Sequence, residues 1–335
     1  MTLEILLPIL VGFAAWAITA WVYRRAERLH LIEYPNFRSS HEYPTPSGGG
    51  LGIVLASLAA GVWLCRDCGP EYWTILALAT LIAAIGLRDD LHHLSKGVRF
   101  GVQLLASATL AITTLDMPEI TAPGLALFVF MVLAGVWWIN LFNFMDGIDG
   151  IAGSQAIFML GTATLAGTWF HPDFAASPTW LWMLVVGAAT FGFLWHNWAP
   201  ARIFMGDIGS TYLAFMILAL ASVSISEGWL SYSFWLILGA VFIADTSITL
   251  VRRMASGQRW LEAHRSHAYQ RLARRWHSHA KATGLTIAVN QLWLAPLAWL
   301  SLSRIDWAPL LVVLAYAPIV AGVLLLDAGK PDQGT

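Results

Sequence analysis

Eleven stretches of about 20 mostly apolar residues, nearly free of charge, run through the 335-residue chain. They lie near residues 3–22, 50–65, 72–88, 99–115, 123–142, 150–170, 179–196, 207–226, 232–251, 285–303 and 307–326. Each is long enough to cross a bilayer as a helix, the form that satisfies its own backbone groups where no water is present. Only 12% of residues are charged, 58% are apolar, and there are 18 tryptophans, a balance that suits lipid and its interfaces. The fold class expected is all-α: a polytopic membrane helical bundle of about eleven spans. It reads as one transmembrane domain over 1–326 with a short disordered cytoplasmic tail at 327–335. A formal net charge of −1 excludes a general polyanion binder, so the expected partner is the lipid bilayer and not nucleic acid. The two cysteines, Cys65 and Cys68, cannot build a disulfide framework.

The first span has no Lys or Arg before it and is followed by Arg24, Arg25 and Arg28, which predicts an uncleaved helix with its N-terminus outside. Counting spans from there, all of the 19 Lys and Arg except Arg66 and Arg304 fall on the inner side, and so does the C-terminus. Nine of the 10 histidines, all but His171, share that side. So do Asp89, Asp90, Asp146, Asp149 and Asp207. Asp245 lies inside a span, where a carboxylate is expensive, and is expected to face the bundle interior.

The inner connections carry the chemistry. The first holds Arg38-Ser39-Ser40-His41 and then Gly48-Gly49-Gly50, glycines that either present backbone N–H groups to a phosphate or simply open the second span flexibly. Asp89-Asp90 end a predicted helix, where two carboxylates face the negative end of its dipole and each other, so a cation is expected beside them. An oxygen-only donor set suits Mg²⁺ or Mn²⁺. In Asn140–Gly150, Asp146 and Asp149 are three apart, a spacing that puts both on one face of a helical turn, with Gly147 and Gly150 clearing space. Asp149 and Asp207 also suit the N-caps of the spans that follow. His264 and His267, with Arg265 between them, have a spacing that suits phosphate oxygens, although a basic inner segment also serves as an anchor.

Together the motifs SSHxxPTPxGGG, DDxxxLS, NxxNFMDGIDGIAG, NxxPARIFMGDIGS and HRSHAYQRL, in this order on alternate connections from residue 38 to about 272, resemble the polyprenyl-phosphate N-acetylhexosamine-1-phosphate transferases. The HRSH segment is more similar to the O-antigen-initiating branch than to the peptidoglycan enzymes, which carry three successive histidines. The resemblance implies that Asp89 and Asp90 are the catalytic acidic pair and that Asp207, with Asp90, binds Mg²⁺. It further implies that Asp146 and Asp149 line the nucleotide site and that Asn197 with Phe204 holds uracil, supported by Asn143. His264, Arg265 and His267 would lie near the diphosphate, and His41 would join the substrate site. The implied substrates are a UDP-N-acetylhexosamine and undecaprenyl phosphate, the implied place is a bacterial inner membrane, and a homodimer is compatible with it. Asp90→Asn is expected to abolish turnover with folding intact.

Two other classes fit less well. An ion-coupled transporter places its site near the bilayer midplane, whereas these carboxylates crowd one set of connections. A CDP-alcohol phosphotransferase shares the Asp-Gly pairs but needs a second paired-aspartate pattern that the chain lacks.

Overall fold

The computed structural model describes residues 2–34, 43–114, 121–258 and 264–331. Helices occupy nearly every expected apolar stretch, with ends a few residues from those read in the sequence. They are α1 (Thr2–Arg25), α2 (Gly50–Leu64), α3 (Pro70–His92), α4 (Lys96–Thr114), α5 (Ala122–Met145), α6 (Ile151–Phe170), α7 (Pro178–Asn197) and α8 (Gly206–Ser226). After these come α9 (Tyr232–Leu238), α10 (Ala240–Ala255), α11 (Ala268–Trp276), α12 (His279–Val289), α13 (Ala295–Ser303) and α14 (Ala308–Leu325). Among the described residues, eight helical stretches are long and apolar enough to cross a membrane, and the bent pair α9–α10 makes up to 9. The helices α4 and α6, of 19 and 20 residues, are as long but fall short of that apolarity. A two-residue antiparallel pairing, Ile32–Glu33 (β1) with Thr45–Pro46 (β2), was not foreseen.

The bundle is centred on α8, where 83% of an 18-residue apolar stretch is buried, against 22–56% in the corresponding stretches of the other seven spans. It packs against α2, α3, α5 and α4, while α1 lies against α7 and α2. Gly86 sets the approach of α3 to α8: a Cβ there would come within 2.7 Å of the Asp207 carbonyl oxygen and the Ile208 Cα. Gly86→Val is therefore expected to force the two helices apart. The expected result, read by thermal unfolding in detergent, is a loss of about 1–3 kcal/mol or more of stability, the range for overpacked cores.

The ninth expected span is not continuous. It bends by 71° between α9 and α10 at Gly239. A break inside lipid frees backbone carbonyls, and here a side chain meets one of them. Gln155 Nε2 donates to the Leu238 carbonyl at 2.9 Å, and Asn290 Nδ2 donates to Gln155 Oε1 at 2.7 Å. Asn290 opens a π-helical turn, Asn290–Leu294, which joins α12 to α13 as one span of 25 residues.

The tail expected to be disordered from 327 is ordered through 331. Ala328 is fully buried beside Ala268 and Val323, the Gly329 N–H donates to the Ser266 carbonyl at 2.9 Å, and the Gly329 carbonyl accepts from Gln258 Nε2 at 3.0 Å. These bonds tie the end of α14 to the segment that carries His264 and His267. Residues 332–335 lie outside the described residues.

Candidate active site

Four helix ends meet in one acidic centre. Asp89 and Asp90 close α3, Arg99 stands in the first turn of α4, Asn143 in the last turn of α5, and Asp207 in the first turn of α8. A single nitrogen of Arg99, Nη1, donates to Asp89 Oδ2 at 2.5 Å and to Asp207 Oδ2 at 3.0 Å. Asn143 Nδ2 donates to Asp207 Oδ1 at 2.9 Å and to Ser210 Oγ at 2.8 Å. A guanidinium thus stands beside the paired aspartates. In the sequence Arg99 stands out only as one of the inner-side Lys and Arg residues. The signal that singles it out is its place: a cation at a helix N-terminus opposes the dipole and needs an acidic partner.

Asp90 has a different role from its neighbour. Its Oδ1 accepts the Asp207 N–H at 2.8 Å and its Oδ2 accepts the Ile208 N–H at 3.1 Å, so it caps α8 from outside and fixes Asp207. Both oxygens of Asp90 are engaged by backbone N–H groups, whereas Asp89 and Asp207 turn theirs to Arg99. Asp90→Ala, by orphaning two N–H groups, is expected to lower stability by about 1–3 kcal/mol along with turnover. A residue acting in chemistry alone leaves the melting temperature unchanged.

Asp146 and Asp149 do not share a helical face. Asp146 caps the end of α5, α6 begins only at Ile151, and Gly150 between them has φ +74°, a left-handed turn. Asp149 is also not an N-cap. Its Oδ2 accepts the Ala201 N–H at 3.0 Å, and its Oδ1 lies 3.1 Å from His279 Nδ1. Among the described residues no donor meets the carboxylate of Asp146. Burial, and then repulsion from Asp207, Glu33, Asp90 and Asp149, push its pKa well above the ordinary carboxylate range. Among the described residues it is the free carboxyl of the centre.

Asn197 and Phe204 lie on the next connection. The amide of Asn197 is spent on backbone: Oδ1 accepts the Gly150 N–H at 3.0 Å and Nδ2 donates to the Ile203 carbonyl at 2.9 Å, with only 3% of the residue exposed. That geometry braces the Asp146–Gly150 turn through one hydrogen bond on each amide atom of Asn197. The half-buried Phe204 ties its connection to the first one. Its N–H donates to the Pro46 carbonyl and its carbonyl accepts from the Gly49 N–H, both at 2.8 Å. In the glycine run the N–H groups of Gly49 and Gly50 are spent on backbone. The Gly50 N–H bonds the Met205 carbonyl at 2.9 Å, and a Cβ on Gly50 would overlap the Gly209 backbone. His41 lies outside the described residues.

The His264–His267 segment is extended up to α11, so the two rings do not use helical spacing. They stack on each other, with centroids 4.9 Å apart. His264 Nδ1 lies 3.0 Å from Ser266 Oγ. Burial, then the neighbouring His267 and Arg253, lower the pKa of His264 to about 3, so that it is neutral near pH 7. Arg265 is exposed, and its carbonyl accepts from Arg274 Nη1 at 2.7 Å. The segment is bound to the acidic centre through Tyr269, whose hydroxyl donates to the Phe144 carbonyl at 2.9 Å above Gly147.

The fold and this centre define an integral membrane protein with an acidic, cation-holding site where the ends of four helices converge. The description of glycosyl transferase family 4 matches residues 72–225. A probable undecaprenyl-phosphate N-acetylglucosaminyl 1-phosphate transferase of Bacillus subtilis is 30% identical over 76% of this chain and 73% of its own length. A decaprenyl-phosphate N-acetylglucosaminephosphotransferase of Mycolicibacterium smegmatis is 30% identical over 95% of this chain and 87% of its own. A phospho-N-acetylmuramoyl-pentapeptide-transferase of Mycobacteroides abscessus is 28% identical over 63% and 71%. The chain belongs to this family of polyprenyl-phosphate hexosamine-1-phosphate transferases.

Proposed function

We propose that the protein transfers a sugar-1-phosphate from a UDP-N-acetylhexosamine to undecaprenyl phosphate and releases UMP. It does so at the cytoplasmic face of a bacterial inner membrane, beginning a lipid-linked cell-surface glycan such as O-antigen. The observation that carries this reading is Arg99 held between Asp89 and Asp207: a centre with charges of both signs suits a reaction between two anions. The names of the relatives support a prenyl-phosphate acceptor and an N-acetylated sugar.

The hard oxygens of Asp89 and Asp207 already converge on one positive atom, so they fit Mg²⁺, with Mn²⁺ as a substitute. Among the described residues no third carboxylate or imidazole joins them in a metal-binding group, which suits a metal that takes its remaining ligands from water and phosphate. When bound, the ion supplies charge neutralisation between the two substrates. The residues do the rest. Asn143 and Asp90 orient Asp207, Arg99 offers its guanidinium to phosphate oxygens, and Asp149 with Asn197 keeps the Asp146 turn in place.

The second pKa of a phosphate monoester is about 6, so the lipid phosphate is largely ionised at neutral pH and needs no general base. One of its oxygens bonds to the sugar-linked phosphorus. The bond to the bridging oxygen breaks, and UMP leaves with the electron pair. A chiral, isotopically labelled phosphorus is expected to be inverted, whereas retention contradicts a single displacement in favour of an aspartyl intermediate.

The test is UMP release by the purified protein in detergent across a panel of UDP-N-acetylhexosamines, 6-deoxy sugars included, with and without undecaprenyl phosphate and Mg²⁺. Release that requires the lipid, the metal and one donor is the expected result. Release of UMP without the lipid contradicts it.

A further inference from the structure

The chain buries a second acidic residue that the acidic centre does not use. Asp245, inside α10 and 3% exposed, collects four donors on one carboxylate. Its Oδ1 accepts the Ala268 N–H at 2.9 Å and the Thr249 hydroxyl at 3.1 Å, and lies 3.3 Å from His267 Nδ1. Its Oδ2 accepts the Tyr269 N–H at 3.0 Å. Three of the four donors come from the first turn of α11 and the residue before it. The N-terminus of a nine-residue helix is thus anchored by an anion supplied from a different helix.

This contact also fixes the chemistry of His267. A carboxylate at Nδ1 selects the tautomer that carries its proton there. Among the described residues Nε2 of the same ring has no partner. The His264 and Tyr269 rings both stack with that of His267, at 4.9 and 5.7 Å between centroids. Tyr269 reaches the Phe144–Gly147 turn beside Asp146. The sequence Asp245, His267, Tyr269, Asp146 therefore crosses from the interior of α10 to the acidic centre.

We propose that Asp245 is a positioning residue for the transfer reaction: through His267 Nδ1 and the start of α11 it holds His267 Nε2 toward the acidic centre, where it meets a phosphate oxygen of the bound substrates. The role of the phosphate rests on the proposed transferase reading, while the Asp245–His267 pairing does not. A carboxylate inside a span is expensive, and a requirement to orient an imidazole explains why it is kept charged and saturated with donors.

Two measurements separate the parts. Histidine ¹⁵N spectra of the detergent-solubilised protein, with His267 assigned from His267→Gln, are expected to show Nδ1 protonated in the wild type and redistributed in Asp245→Asn. A bare Nδ1 in the wild type overturns the proposal, whether or not any donor is turned over and whether or not Asp245→Asn folds. In the UMP-release assay, Asp245→Asn is expected to lower kcat about 10–100-fold with little change in KM for the nucleotide sugar, the range for partners that orient an active group. Asp245→Glu is expected to recover part of that loss. The double variant Asp245→Asn/His267→Gln is expected to be no slower than His267→Gln alone. Losses that multiply in the double variant, or a kcat for Asp245→Asn within threefold of wild type, overturn the proposal. A wild type inactive with every donor, but showing the protonated Nδ1, contradicts the transferase reading and leaves the pairing standing.

Discussion

Asp207→Asn is expected to lower turnover by about 10²–10³-fold, the loss typical of removing one preorganised electrostatic group, while leaving the protein at least as stable as the wild type. The two halves of that result have separate causes. Asp207 receives Arg99 on one oxygen and Asn143 on the other, and its backbone is held by Asp90, so its charge is placed with little freedom. An asparagine keeps one acceptor oxygen but loses the charge that binds cations. It also removes a negative group from the neighbourhood of Asp89, Asp90 and Asp146, so repulsion in the folded state falls. Thermal unfolding and UMP release on the same preparation read both effects. Turnover within tenfold of wild type removes Asp207 from the centre of the mechanism.

Arg99→Ala is expected to be nearly as damaging to turnover, by about 10²-fold or more, and to have the opposite effect on metal binding. Arg99 Nη1 contacts both Asp89 and Asp207. A divalent ion at that pair competes with the guanidinium, so removing it is expected to tighten Mn²⁺ binding measured by electron paramagnetic resonance. Without metal, two carboxylates are left facing each other with no cation between them, and the melting temperature is expected to fall and then to recover as Mn²⁺ is added. An unchanged Mn²⁺ affinity contradicts a shared position for arginine and metal.

The helices were legible because a bilayer imposes a length and a composition that few other constraints imitate, and the loops were legible because polar residues have nowhere else to go. The gathering of Asp89, Asp90, Asn143, Asp146 and Asp207 follows from that, since each sits where a helix ends. Which partner each side chain takes was not legible. Asp90 and Asp89 are adjacent and chemically identical, yet one caps α8 and the other meets Arg99, a division set by how Gly86 lets α3 approach α8. Asn197 and Asp149 have the residue types of ligand contacts and act as braces between connections. The break at Gly239 escaped because the apolar run continues through it, and its compensating partners, Gln155 and Asn290, lie on two other helices. Helical spacing misled at Asp146–Asp149 and His264–His267, where the chain is in a turn or extended.

The most direct test of the transfer itself follows the phosphorus. A UDP-N-acetylhexosamine labelled in its sugar-linked phosphate is incubated with undecaprenyl phosphate and the purified protein, and the label is traced after butanol extraction. The expected result is label in the lipid phase as a diphosphate carrying the sugar, with unlabelled UMP in water, for the wild type and not for Asp207→Asn. Label that remains in the aqueous phase as sugar phosphate or UDP-sugar with an active donor, or that enters the lipid equally with Asp207→Asn, contradicts phosphoryl transfer at this acidic centre.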